Sequence, residues 1–131
     1  MKHYAVTPMA KPRMTRADKW KQRDCVLRYR AYKDELRLRR VEVPEGGVIV
    51  TFAIPMPESW SKKKRAEMDG QPHQQRPDVD NLHKGLLDAV FDEDCRVWSH
   101  WIRKVWGEDG GITIEAAGEL EYRLQKQREA A

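Results

Sequence analysis

Two runs of the sequence concentrate side chains that can act on a phosphodiester: Arg76-Pro77-Asp78-Val79-Asp80-Asn81-Leu82-His83-Lys84, and then Phe91-Asp92-Glu93-Asp94. Pro77 and Val79 favour an extended backbone, so Asp78 and Asp80, two residues apart, are expected to project to the same side. Two carboxylates so close repel each other unless a positive charge lies between them. A hard divalent cation with oxygen ligands answers that need, and Mg²⁺ in particular takes one or two carboxylates and keeps waters for a substrate. Lys84 follows Asp80 by four residues, one helical turn, so the pair can share a face, with the ammonium near a scissile phosphate or an attacking water. A third carboxylate must come from Asp92, Glu93 or Asp94, and spacing does not choose among them. The competing reading is structural: Asp80 as an ordinary helix N-cap with a lysine one turn on, and Asp-Glu-Asp as a solvated loop.

The charge pattern bears on the choice. Net charge is +4, but residues 1–40 hold thirteen Lys/Arg against four Asp/Glu, whereas residues 78–98 hold six acidic and two basic side chains. A basic body around an acidic pocket suits a metal-dependent nuclease: the basic surface displaces counterions from phosphates while the carboxylates hold a cation at the bond to be cut. Lys62, Lys63, Lys64, Arg65 and Arg76 are the expected phosphate contacts. His73 is expected to be structural or close to DNA, because the four histidines lack metal-ligand spacing. Trp98, Trp101 and Trp106 read as core or interface, and Trp60 as the better candidate to stack on an unpaired base.

A hydrophobic fraction of 40% with five tryptophans argues against disorder. No apolar run approaches the roughly 18 residues of a membrane span, and the N-terminus lacks a secretory signal, so a soluble protein without membrane contact is expected. Cys25 and Cys95 form neither a CxxC pair nor a disulfide framework, which fits a reducing, cytoplasmic setting.

The elements that must position these groups follow from periodicity. Tyr4–Thr7 reads as a short strand, Lys11-Pro12-Arg13-Met14-Thr15-Arg16 as a basic loop, and Cys25–Arg40 as a helix burying Val26, Tyr29, Tyr32 or Lys33, and Leu36. Val48–Ile54 is apolar on both faces and predicts a central strand. Residues 58–76 read as a mobile loop with a short helix capped by Ser59 or Ser61. A helix from Asp80, its N-cap, to Phe91 buries Leu82, Leu86 and Ala89 or Val90. Val97–Trp106 and Ile112–Ala116 form a hairpin around Gly107–Gly111. The expected fold is α/β: one domain over residues 1–118, a small mixed β-sheet flanked by helices, with a charged, helix-prone tail over 119–131.

The run Pro77-Asp78-Val79-Asp80-Asn81-Leu82-His83-Lys84, continued by Leu87-Asp88-Ala89-Val90, resembles the signature of RusA-type Holliday-junction resolvases of phages and prophages. Lys11–Thr15, Pro55–Arg65, Gly70–His73 and Lys104–Gly107 extend the resemblance over most of residues 4–116. It implies a RusA-like fold and a crossover junction endodeoxyribonuclease acting in DNA recombination and repair. By the same resemblance Asp78, Asp80 and Asp94 are metal ligands and, with Lys84, the catalytic residues; Asp94 takes the late position because Asp94-Cys95-Arg96-Val97 looks like the family's run into the next strand. Asp88 matches a family position too, but is not counted as a ligand, since a pairing with Lys84 explains it equally well. The resemblance further implies Mg²⁺ as cofactor with Mn²⁺ as an accepted substitute, a homodimer on branched DNA, and a cytoplasmic protein of bacterial, phage or prophage origin. Two other functions stay open: a metal nuclease for other branched or single-stranded DNA, and a non-catalytic basic DNA-binding module.

Overall fold

In the computed structural model, residues 1–13, 23–44 and 47–131 are described, without the side chains of Asp94 and of residues 119–122. The elements are β1 (Lys2–Tyr4), α1 (Asp24–Leu38), β2 (Val48–Pro55), α2 (Lys62–Met68), α3 (Val79–Val90), a 3₁₀ turn (Asp94–Arg96), β3 (His100–Gly107), β4 (Gly111–Ala116) and α4 (Ala117–Ala130). The strands form one mixed sheet in the order β1-β4-β2-β3. β2 runs parallel to β3 and antiparallel to β4, and β4 is antiparallel to β1. This is the single small α/β domain that the pattern of elements implied.

β2 is central, as its composition predicted, but only one of its faces is fully covered. Val48, Val50 and Phe52 are buried, while Ile49, Thr51 and Ala53, which alternate with them, are half-buried. The covered face packs against α1 and α3 through Tyr29, Tyr32 and Leu36 on one helix and Leu82, Leu86, Leu87 and Ala89 on the other. On the opposite face Trp101 is 59% exposed.

α1 buries Val26, Tyr29, Tyr32 and Leu36 at the expected spacing. It ends at Leu38, two residues earlier than its periodicity suggested, in a local turn. The Val41 amide donates to the Leu36 carbonyl and the Arg40 amide to that of Arg37, with Arg40 left-handed at φ 53°. That pairing satisfies carbonyls at the helix end, and the buried pair Val41 and Leu36 closes it.

α3 needs the glycine in its middle. A Cβ on Gly85 would come within 2.6 Å of the Met9 carbonyl oxygen, a backbone atom that cannot step aside cheaply. The helix therefore lies directly on the segment after β1. The Tyr29 hydroxyl donates to the Gly85 carbonyl at 2.8 Å, and burial pushes that phenol up to about 12, with the charge of Asp88 adding to the effect. It remains a neutral donor. Among the described residues no helix is long and apolar enough to cross a membrane.

The expected hairpin does not form: β2 lies between β3 and β4 and pairs with both, so consecutive strands are separated in the sheet. Other details differ from the sequence reading too. β1 is Lys2–Tyr4 rather than Tyr4–Thr7, because its register with Thr113 and its neighbours on β4 sets the strand. β3 begins at His100 rather than Val97, the preceding residues being taken up by the 3₁₀ turn and its exit. Residues 69–76, read as part of a mobile loop, are fastened along β3: Gly70 donates to Trp106 O, Trp106 to Gln71 O and His73 to Lys104 O.

Candidate active site

α3 begins two residues earlier than expected. Asp78, not Asp80, occupies the N-cap with ψ 145°, and its carbonyl accepts from the Leu82 amide. Val79 is therefore the first helical residue and half-buried against the core, rather than part of an extended run. The two carboxylates stand in the first turn, both exposed, and the Asp78 side chain makes no capping hydrogen bond. Negative charge is favoured at that end of a helix, where unpaired amides gather. Arg76, Pro77, Asp78 and Asn81 line a shallow depression of about 410 Å³. Lys84 is exposed one turn further along the helix.

The third ligand is a different matter. Asp94 opens the 3₁₀ turn, with its side chain outside the described residues; Asp92 and Glu93 are exposed just before it. Among the described residues no three His, Cys, Asp or Glu side chains come together as a metal-binding group. What the structure does supply is a pair of exposed oxygen donors, of which Asp78 is uncommitted to a helix cap. That chemistry fits a hard divalent ion that keeps most of its waters.

The basic groups of α2 divide into two kinds. Lys62 and Lys63, at the start of α2, are exposed. Ser61 caps that helix by accepting from the Lys64 amide at 3.2 Å. Arg65 instead turns back to the carbonyls of Trp60 and Pro57, and Lys64 lies 4.3 Å from the Trp60 ring centre. Trp60 itself packs on Trp106, ring centres 4.7 Å apart. The ring singled out as a base-stacking candidate thus anchors the basic helix to the sheet. Trp106 is buried, whereas Trp98 and Trp101 are 76% and 59% exposed.

His73 is only 4% exposed, with its ring 4.3 Å from that of Trp106. Burial, and then the charge of Lys104, lower its affinity for a proton below the ordinary 6.5. The neutral ring therefore contributes stability that is intact above pH 6.5 and is lost as pH falls through the lower folded value. The denaturation midpoint of the wild type should drop relative to a His73→Phe variant between about pH 7.5 and 5; parallel pH profiles would show that His73 does not titrate into the fold.

The family model of endodeoxyribonuclease RusA matches residues 3–116. The chain belongs to the RusA endodeoxyribonuclease family. The RusA match opens within β1 and closes at the last residue of β4, so it takes in all of the sheet but Lys2, together with α3, and stops short of α4. No curated protein and no solved structure matches the chain.

Several contacts around this RusA-family site had no local signal in the sequence. Asp88 pairs with Lys11 at 2.7 Å, not with Lys84, across 77 positions of chain. Buried His83, on the helix between Asp80 and Lys84, meets His100 of β3 edge-on at 4.7 Å. Lys104 reaches the backbone just before Asp78.

Proposed function

We propose that this RusA-family protein is a Mg²⁺-dependent, structure-selective endodeoxyribonuclease that resolves Holliday junctions by paired phosphodiester hydrolysis in recombination and repair. The observation that most supports this reading is the first turn of α3, where Asp78 and Asp80 stand exposed beside Arg76 with Lys84 one turn on.

In this reading the oxygens of Asp78 and Asp80 hold the cation, with Asp94 as the third ligand and Mn²⁺ able to replace Mg²⁺. When bound, the ion supplies Lewis-acid polarisation of the phosphate and a more acidic water. Lys84 offsets the charge that builds on the phosphate oxygens as the bond breaks. Arg76, Lys62 and Lys63 grip the flanking phosphates and set the strand's register, without reading bases. A homodimer would carry two such sites about a two-fold axis, matching the near two-fold symmetry of a four-way junction. Preference for the junction then comes from shape and basic surface more than from sequence.

The direct experiment incubates the purified protein with a synthetic four-way junction, a flap and a linear duplex, with and without Mg²⁺, and maps nicks on both strand pairs. Symmetrically placed nicks on the junction alone, dependent on the metal, are expected. Preferential cutting of the flap would favour a nuclease for other branched DNA, and binding without cutting would favour a non-catalytic module.

Phosphate contact by α2 has its own signature. Each neutralised phosphate adds about 0.9 to the slope of log K against log salt. Changing Lys62 and Lys63 together to Ala should therefore weaken junction binding and flatten that slope by roughly two; an unchanged slope would show that α2 does not touch the backbone.

A further inference from the structure

Lys104 lies on β3 in register with Phe52, on the sheet face that α1 and α3 cover. A half-buried lysine among Ile102, Phe52 and Trp106 contributes little to a core, because its charge resists desolvation. Its contacts account for it. The Lys104 carbonyl accepts from the His73 amide at 3.2 Å. Its ammonium donates to the Gln75 carbonyl and, at 2.6 Å, to the Pro77 carbonyl. A single residue therefore grips the chain at 73, 75 and 77, the last three alternate positions before Asp78. The Pro77 carbonyl belongs to the peptide group that ends at the Asp78 amide, so fixing its direction fixes how the backbone enters the N-cap.

We propose that Lys104 is a positioning residue for the candidate metal site: its ammonium holds the Gln75–Pro77 approach so that Asp78 presents its carboxylate to a divalent cation before DNA arrives. The proposal rests on Asp78 being a metal ligand. It deepens that reading by naming what orients the ligand. Without the ammonium, the two carbonyls turn to water and Asp78 must be ordered at the moment of binding, a cost that appears as weaker metal affinity. Partners that orient ligands from behind change metal affinity by about 10- to 100-fold when removed.

The test compares wild type, Lys104→Met, Lys104→Arg and Asp78→Asn. Three quantities are measured: Mn²⁺ affinity by calorimetry without DNA, the Mg²⁺ concentration for half-maximal cleavage of a four-way junction, and junction affinity in Ca²⁺. Lys104→Met should lose roughly tenfold in Mn²⁺ affinity and need correspondingly more Mg²⁺, while junction affinity and the maximal rate at saturating Mg²⁺ change little. Lys104→Arg, which keeps donors for both carbonyls, should restore the metal affinity. If Lys104→Met does not fold cooperatively, Lys104→Thr, polar and suited to a strand but too short to reach either carbonyl, is measured in its place with the same expectation. Wild-type metal affinity in the Met or Thr variant, beside an inactive Asp78→Asn, overturns the role of Lys104 and leaves the metal site standing. An Asp78→Asn protein that cuts as wild type does overturns both.

Discussion

Asp80→Asn is expected to bind a four-way junction about as tightly as the wild type and to cut it slower by roughly three orders of magnitude in saturating Mg²⁺. The substitution keeps the size and shape of the side chain and removes one negative oxygen donor. Metal-assisted polarisation is worth several kcal/mol, and each 1.36 kcal/mol is about tenfold in rate. The structural side effect is smaller: a carboxylate near a helix N-terminus contributes about 0.3–1 kcal/mol through the helix dipole. Lost cleavage with retained binding therefore reports on chemistry and not on unfolding. Asp78→Asn should behave alike. For the later ligand, Asp94→Asn should match them while Asp92→Asn and Glu93→Gln leave cutting intact. Full cleavage by Asp80→Asn in Mg²⁺ would sink the proposed site.

Phe52→Ala should carry the largest cost in stability. Phe52 is completely buried in the central strand, between Ile112 on β4 and Lys104 on β3. It belongs to the cluster that joins β2 to Leu82 and Leu86 of α3. Phe-to-Ala changes at such positions cost about 3–5 kcal/mol, the transfer energy plus the cavity left behind. Small domains have only about 5–15 kcal/mol in total. A chemical-denaturation curve should show the midpoint falling steeply, and junction binding and cleavage should fail together as the temperature rises. That pattern separates it from Asp80→Asn, where they part. A loss below about 1 kcal/mol would mean that Phe52 does not pack as described.

The two variants sit on the two levels at which the sequence was informative. Val48 to Ile54 carry their strand in a short, nearly continuous apolar run rich in β-branched residues, and Leu82, Leu86 and Ala89 carry their helix in three- and four-residue spacing, because burial on one face of a helix leaves a local period. The acidic run was legible as a RusA-like motif, through two aspartates and a lysine at fixed offsets and the family resemblance they carry. Its backbone was not. Asp80 looked like the better cap, yet Asp78 takes that place, and the helix absorbs Val79 because its side chain packs into the core. What failed to show were contacts between distant positions. Lys11 with Asp88, His83 with His100 and Lys104 with Pro77 each join elements whose meeting depends on the whole topology. Trp60 gave no sign in the sequence that it would pack on Trp106. Of the three tryptophans read as core or interface, Trp106 is buried, while Trp98 and Trp101 are exposed in the single chain.

The polypeptide between α2 and α3 has one more consequence. β3 ends the sheet on its side, and a bare strand margin is a template on which other molecules can add. Gly70, Gln71 and His73 consume hydrogen-bonding capacity along the latter half of that margin. The stretch that delivers Asp78 thus also shields the molecule from sticking to its neighbours. Changes that prise it loose would be felt first as poor solubility during expression, ahead of any deficit on DNA.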